Sequence, residues 1–302
     1  MKIKSTLLAL LTGAALVAGA CGASASPSPS AAAGTICEKA IAAGEAETTL
    51  LGFVCKQGEV RISTDPNYPP FSSLNATSNE YEGFDIDVAK LIAEKLGVTI
   101  KWETPSWDAL TAGNWADRWD VSVGSMAQTE ARTAVIDFSE PYYYALAYVA
   151  VPSSSTATTL ADLAGKEFCI GSGTLYESWL KGEFANQSLV EVSAQPPAGI
   201  TVTSEETDNL CIEKLAAGRT WDGFVQGKEF IDNAIASGAA IKYLDSTWLT
   251  AEKISVALDK GGKDTASMLA AINEIIAAAH ADGTLSALSK ASLNGADVTV
   301  KQ

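Results

Sequence analysis

A two-lobed α/β body with a two-segment hinge is predicted by three features of the sequence. Strand-like and helix-like segments alternate along most of the chain, the pattern of a mostly parallel sheet covered by helices. A polar break, SSSTATT (153–159), is followed by a second run of the same alternation. YVAV (148–151) and ISVAL (254–258) then look like the strands that carry the chain out of the first lobe and back. Hinged lobes close around a ligand held between them.

The N-terminus sets the compartment. Lys2 and Lys4 precede an uncharged apolar run, Leu7 to Ala20, which is too short for a comfortable transmembrane helix of about 20 residues. Val17-Ala18-Gly19-Ala20-Cys21 reads as a lipoprotein signal over 1–20, cleaved before a lipidated Cys21; the alternative is an ordinary secretory signal cut near Ala20 or Ala25. GASASPSPSAAAG (22–34) is a flexible tether, so 21–35 is read as anchor and linker. A membrane contact through the lipid alone is expected, with the body outside the cytoplasm. Residues 36–57 form a short cysteine-containing extension. Without Cys21 four cysteines remain, an even number that suggests two disulfides. Three pairings are open; Cys37–Cys55 and Cys169–Cys211 are preferred because each joins residues of one chain region.

The elements follow in order. Glu59 to Thr64 alternates as a strand and runs into the loop DPNYPPF (65–71). GFDIDVAKLIAEKLG (83–97) has helical apolar spacing, with Asp85 as candidate N-cap and Gly97 as C-cap. VTIKWE (98–103) is a strand, ALTAGNWADR (109–118) a helix weakened by Gly113, and WDVSVG (119–124) a strand. After the break come a turn at 160–166, a strand with a glycine loop (167–174), helices at 175–184 and 206–219, a strand at 221–226 and a helix at 228–238. A strand and turn at 254–262 precede a long amphipathic helix, 264–283. Lobe 1 is therefore 58–148 plus 254–302, and lobe 2 is 149–253.

The net charge of −15 excludes a broad basic surface for nucleic acid. The single histidine, His280, lies in an alanine-rich helix, and no Cys-x-x-Cys occurs, so no metal or other cofactor is expected. The chain has four arginines. One, Arg132, follows small residues in VGSMAQTEARTAVIDFSEPYY (123–143). An arginine there, beside free backbone N–H groups, suits a small carboxylate. A structural salt bridge to Asp137 or Glu140 suits it equally on chemistry alone.

STDPNYPPF (63–71), GFDIDVAKLIAEKLG (83–97), WDAL (107–110), WDVSVGSMAQTEAR (119–132), DFSEPYY (137–143), GSGT (171–174) and AGRTWDGFV (217–225) occur in this order. Over roughly 58–290 the chain resembles the solute-binding proteins of polar amino-acid ABC transporters, bacterial extracellular solute-binding protein family 3. The resemblance implies the periplasmic-binding-protein type II fold, a monomer, a permease partner, an amino acid or related carboxylate as ligand, and no enzymatic activity. It implies that Arg132 clamps the ligand carboxylate, that Ser125 meets it, and that Tyr68 and Trp107 sandwich the side chain. It implies further contacts from Asp65, Phe71, Met126, Ala127, Leu175, Gln226 and Gly227, with Gly173 and Thr174 closing over the carboxylate.

Two positions depart from the family pattern. Ala127 stands where a hydroxyl residue is usual. Gly227 stands where an aspartate usually pairs with the ligand α-ammonium. A buried ammonium without a carboxylate is costly, so either Glu177, Glu229 or Asp65 supplies one or the ligand has no free α-ammonium. The alternative function is a cyclohexadienyl or arogenate dehydratase on the same fold, with Glu177 as the acid.

Overall fold

The computed structural model describes residues 34–184 and 188–301. The signal segment, Cys21 and most of the tether lie outside the described residues. The first element pair is a helical hairpin, α1 (Ile36–Ala42) and α2 (Leu50–Gln57). Thr35 and Glu38 form a reciprocal cap on α1, Thr49 caps α2, and the Cys37–Cys55 disulfide clips the two helices together.

Strand β1 (Glu59–Ser63) leads into a small three-stranded sheet made of β2 (Asn67–Tyr68), β3 (Ser72–Leu74) and β4 (Tyr81–Glu82). Helix α3 (Phe84–Leu96) follows. Its N-cap is Gly83, where a side chain would collide with the Phe71 carbonyl 2.4 Å away, and not Asp85, whose carboxylate accepts from Ser125 and Tyr142 instead. Gly97 closes the helix in the left-handed conformation, as expected. Strand β5 (Thr99–Glu103) and a short α4 (Trp107–Thr111) come next. The helix expected to 118 stops there. Asn114, Ala116 and Asp117 take positive φ, and the Asp259 carboxylate accepts the N–H groups of Asn114 and Trp115. That turn inserts Trp115 into the core.

Strand β6 (Val121–Ala127), helix α5 (Glu130–Thr133) and the 17-residue β7 (Ile136–Pro152) complete the first half. A 3-10 turn (Leu160–Leu163) opens the second half, before β8 (Glu167–Gly171), α6 (Leu175–Leu180), β9 (Glu191–Val192) and β10 (Thr201–Glu205). Then come α7 (Asp208–Ala216), β11 (Gly223–Gly227), α8 (Lys228–Ala236) and β12 (Ile241–Tyr243). The chain returns through β13 (Thr250–Asp259) and ends in α9 (Ala266–Ala281) and α10 (Thr284–Ser292).

The two lobes share one sheet, in the order β10-β8-β11-β7-β13-β6-β1-β5. Strands β7 and β13 pair antiparallel from Ile136–Asp259 to Ala147–Thr250, so the crossings are two long ladder-bonded strands, not short links. Within each half the central pairings are parallel, as βαβ units require. Every pairing of β7 and β13 is antiparallel, so the sheet as a whole is mixed, not mostly parallel. Strands that carry the chain between lobes run against the strands of both.

One core packs Phe84, Val88 and Ile92 of α3 with Met268, Ile272 and Ile276 of α9 and with Val60 and Ile62 of β1. A second gathers Trp221, Phe224 and Phe230 around the Cys169–Cys211 disulfide. That bridge ties β8, which ends at Gly171, to α7, which begins at Asp208. His280, near the end of α9, is exposed with Nε2 3.0 Å from the Pro141 carbonyl.

The bridges close loops of different length, with sequence separations of 18 and 42. Chain entropy then makes them worth about 3 and about 4 kcal/mol respectively. Urea denaturation of C37S/C55S and C169S/C211S variants is expected to show both losses, the second larger. An unchanged midpoint for either pair rejects its stabilising role.

Candidate ligand-binding site

The Thr-x-x-Arg spacing is a device for aiming one side chain. Thr129 caps α5 and accepts the Arg132 N–H at 3.2 Å, which sets Arg132 one turn beyond the end of β6. Arg132 is 6% exposed. Its Nη1 donates to the Ala127 carbonyl at 3.0 Å and its Nη2 to the Gly173 carbonyl at 3.2 Å, across the cleft. The guanidinium lies over the Trp107 ring, 5.2 Å from its centroid. Asp137 is paired with Lys260 at 3.5 Å, and among the described residues no ion pair joins Arg132 to Asp137 or Glu140. Burial pushes the guanidinium down to about 10, so it stays charged at neutral pH. Its hydrogen-bond partners are carbonyls, and the charge acting on it from within the pocket is Glu252, with no ion pair formed among the described residues.

The opposite wall comes from the second half. The Trp107 indole donates to the Gly173 carbonyl at 3.1 Å, the Tyr68 hydroxyl to Gln226 Oε1 at 3.1 Å, and the Asn209 amide to Asn67 at 2.9 Å. These bonds draw the halves together over one pocket. Of the residues expected at the ligand, it is lined by Asp65, Tyr68, Trp107, Ser125, Ala127, Arg132, Thr174, Leu175 and Gln226.

Four expected residues are not part of that lining. Phe71 is core, stacked between Tyr68 and Tyr143 at 5.5 and 5.3 Å. Met126 alternates to the other face of β6 and packs with Trp115 and Ile136. Gly173 offers its carbonyl to Trp107 and Arg132, while its N–H donates to Glu177 at 2.8 Å. Gly227 lies outside the lining, with its N–H donating to Gln226. Ser125 lines the pocket at φ 54°, yet both of its donors turn inward, the N–H to the Tyr142 hydroxyl and the hydroxyl to Asp85. Thr174 caps α6, accepting the Glu177 N–H, and its hydroxyl donates to Gly171.

The acids are where sequence reading fell short. Glu177 does not line the pocket; it takes bonds from Lys181, Ser204 and the Gly173 N–H. Burial pushes its carboxyl up, but those bonds bring it below the usual range. Glu229, in the first turn of α8, is also outside the lining. Three unforeseen acids line it instead: Glu206 just before α7, Asp208 in its first turn and Glu252 on β13. Asp208 accepts the Gly171 N–H at 2.8 Å, and a Cβ at 171 would meet that carboxylate at 2.8 to 2.9 Å and displace it. Glu252 accepts hydroxyls from Thr250 at 2.5 Å and Tyr176 at 3.2 Å.

Asp65 and Glu206 complete the acidic lining, against Arg132 as the one base among the described lining residues. None of these four acids is in an ion pair among the described residues. Burial raises Asp208 and Glu252 to about 7, against the hydrogen bonds they accept. Asp85, behind the pocket, is raised to about 7 for the same reason. No cluster of three or more metal-ligating side chains occurs among the described residues.

The sequence profile of the bacterial extracellular solute-binding proteins, family 3, matches residues 60–294. The chain is 31% identical over 261 residues to the L-cystine-binding protein TcyJ of Escherichia coli K12, covering 84% of this chain and 89% of that protein. It is 28% identical over 242 residues to the lysine/arginine/ornithine-binding periplasmic protein of the same organism, covering 76% and 86%. The ancestral amino acid-binding protein AncCDT-1, a precursor of cyclohexadienyl dehydratase, shares the fold with a TM-score of 0.69 at 24% identity, over 81% of this chain and 100% of that one.

The raised carboxyls give stability a pH dependence of known sign. Asp85, Asp208 and Glu252 titrate near 7 in the folded chain, above the roughly 4 of unfolded carboxyls. The folded state therefore binds more protons between these values. The stabilisation is full at low pH and is lost as pH rises through 7. The melting temperature of the ligand-free body is expected to fall from pH 5 to pH 8, and to fall less steeply in D208N and E252Q. Parallel curves for variants and wild type reject the assignment.

Proposed function

Because the chain belongs to the bacterial extracellular solute-binding proteins of family 3, we propose that it captures a small polar amino acid and hands it to the permease of an ABC importer. The observation that carries this reading is Arg132, a buried guanidinium in the cleft with carbonyls as its hydrogen-bond partners. A ligand carboxylate there meets the guanidinium directly, a contact that no carboxylate of the described residues makes. Lobe 1 (58–148 plus 254–302) and lobe 2 (149–253) close over it, with Tyr68 and Trp107 against the side chain. The four lining acids favour a ligand that also carries positive charge and oppose one of net negative charge. The relatives' names, for cystine and for lysine, arginine and ornithine, are of that kind.

The protein works outside the cytoplasm, held at the membrane by lipid on Cys21. No helix among the described residues is long and apolar enough to cross a membrane. The chain is a binding protein and not an enzyme. The dehydratase reading rests on Glu177, which is engaged by Lys181 and stands outside the pocket.

Thermal denaturation of residues 35–302 against a panel of amino acids tests the reading. Saturation at about a thousand times Kd adds roughly 4 kcal/mol and raises the melting temperature by several degrees. Arg132→Ala is expected to weaken the best ligand by at least about thirtyfold, the effect of stripping one partner from a buried charge pair. Retained affinity overturns the clamp. Turnover of prephenate or arogenate would establish the enzyme instead.

The anchor is tested separately. The full chain expressed in a bacterium is expected in the membrane fraction, with Cys21→Ser released or retained as an unlipidated precursor. An unchanged, lipid-free distribution of both rejects lipidation.

A further inference from the structure

The family pattern leaves this pocket without its usual acid, since Gly227 carries no side chain. The sheet shows where that carboxylate has gone. Gly227 pairs with Ala147 on β7, and Ala147 pairs with Thr250 on β13, so the three stand in one row across the strands. Two residues beyond Thr250 on the same strand is Glu252. A Cβ placed on Gly227 would lie 4.0 Å from the Tyr176 hydroxyl. That hydroxyl donates to Glu252 Oε2 at 3.2 Å. The neighbourhood emptied at 227 is thus joined to Glu252 through one tyrosine.

Glu252 is 3% exposed and lines the pocket. It has no ion-pair partner among the described residues, and its bonds come from the neutral hydroxyls of Thr250 and Tyr176. Its electrostatic partner is Arg132, the carboxylate clamp. Asp208, the other deeply buried acid, couples instead to Asp65 and Gln226. An α-amino acid carries its two head charges on neighbouring carbons, so the ammonium acceptor belongs beside the arginine.

We propose that Glu252 is the specificity-determining residue that receives the ligand's α-ammonium, an acid transposed from β11 to the hinge strand β13, and that the ligand is an α-amino acid with a free amino group. This rests on the amino-acid-binding reading above. It sets aside the other branch left open by Gly227, a ligand without an ammonium. It also makes a strand shared by both lobes part of the ligand contact, so the head group is read at the hinge.

The test uses residues 35–302 and calorimetric titration with L-cystine, L-arginine, L-lysine, L-ornithine and L-histidine, and with the N-acetyl form of whichever binds best. Wild type is expected to prefer the free amino acid strongly. E252Q keeps the size of the side chain and is expected to lose about ten- to hundredfold in affinity for the free amino acid, the range for a charge-assisted hydrogen bond. It should change little for the N-acetyl form.

A second readout separates contact from mere support. Ammonium binding favours the ionised carboxylate, so the wild type is expected to release a proton on binding near pH 6. Titrations in buffers of different ionisation enthalpy measure it. The other titratable groups facing the pocket are Asp65, Tyr68, Tyr176, Glu206 and Asp208. Proton release is expected to vanish in E252Q and persist in D208N. If D208N abolishes both affinity and proton release while E252Q leaves them intact, Asp208 is the acceptor and the proposal fails. If wild type binds the N-acetyl form as well as the free amino acid, no ammonium is read and the proposal fails while the Arg132 clamp stands. If nothing in the panel binds and Arg132→Ala behaves as wild type, the amino-acid reading itself fails.

Discussion

One buried guanidinium constrains this molecule. Arg132 sits below the surface with two carbonyls and an indole face for company. Burial disfavours its charge, and the shift to about 10 still leaves it cationic under any physiological condition. The chain around it is arranged to hold it in that position. Thr129 caps the helix that carries it, Ala127 accepts from one arm and Gly173 from the other. The last contact makes the arginine part of the joint between the halves as well as part of the pocket. On the proposed reading, closing the cleft and completing the carboxylate site are therefore one event.

The scaffold behind the pocket is correspondingly stiff. Tyr143 donates to Ser125, Ser125 and Tyr142 both donate to Asp85, and the Ser125 N–H returns to Tyr142. This closed network fixes a left-handed residue in the middle of a strand, and it explains why Asp85 is not a helix cap. A carboxyl that is fully buried and raised to about 7 serves there as a hydrogen-bond centre. On the far wall the Cys169–Cys211 bridge holds β8 against α7, so Asp208 reaches the Gly171 N–H at the strand end. Both walls thus use buried acids to lock backbone at the pocket's edge.

Much of this was legible in the sequence, and the losses have a common cause. Alternation and periodicity located β1, α3, β6, β8, β11 and α9 because local pattern governs where an element forms. The helix expected over 109–118 failed because Asp259, far along the chain, accepts two N–H groups there and turns the backbone. Met126 was expected at the ligand, but a strand sends successive side chains to opposite faces, so its neighbours Ser125 and Ala127 line the pocket while it packs behind; Phe71 lies in the turn before β3 and stacks between Tyr68 and Tyr143. Asp208 and Glu252 carried no local signal. Asp208 reads as a helix-start residue and Glu252 as one acid in TAEKIS. Each acquires its place through a partner distant in sequence, Gly171 for the first and Tyr176 for the second. The absence at Gly227 was legible; the compensation was not, because strand order across a sheet is a tertiary fact.

The pocket's charge balance decides how closure responds to a ligand. Asp65 belongs to the loop after β1, while Glu206 and Asp208 belong to the segment entering α7, and all three line one cavity. Bringing the halves together crowds these carboxyls, which is reflected in the upward push of Asp65 by burial and then by Glu206. Without a ligand, closure buries like charges against each other, and only Glu252 opposes the arginine's charge from within the pocket. On the proposed reading a zwitterion offsets this crowding, its carboxylate meeting Arg132 and its positive end the acids. On that reading the closed state is favoured most when both charges arrive on one molecule, and discrimination follows from the repulsive terms as much as from the attractive ones.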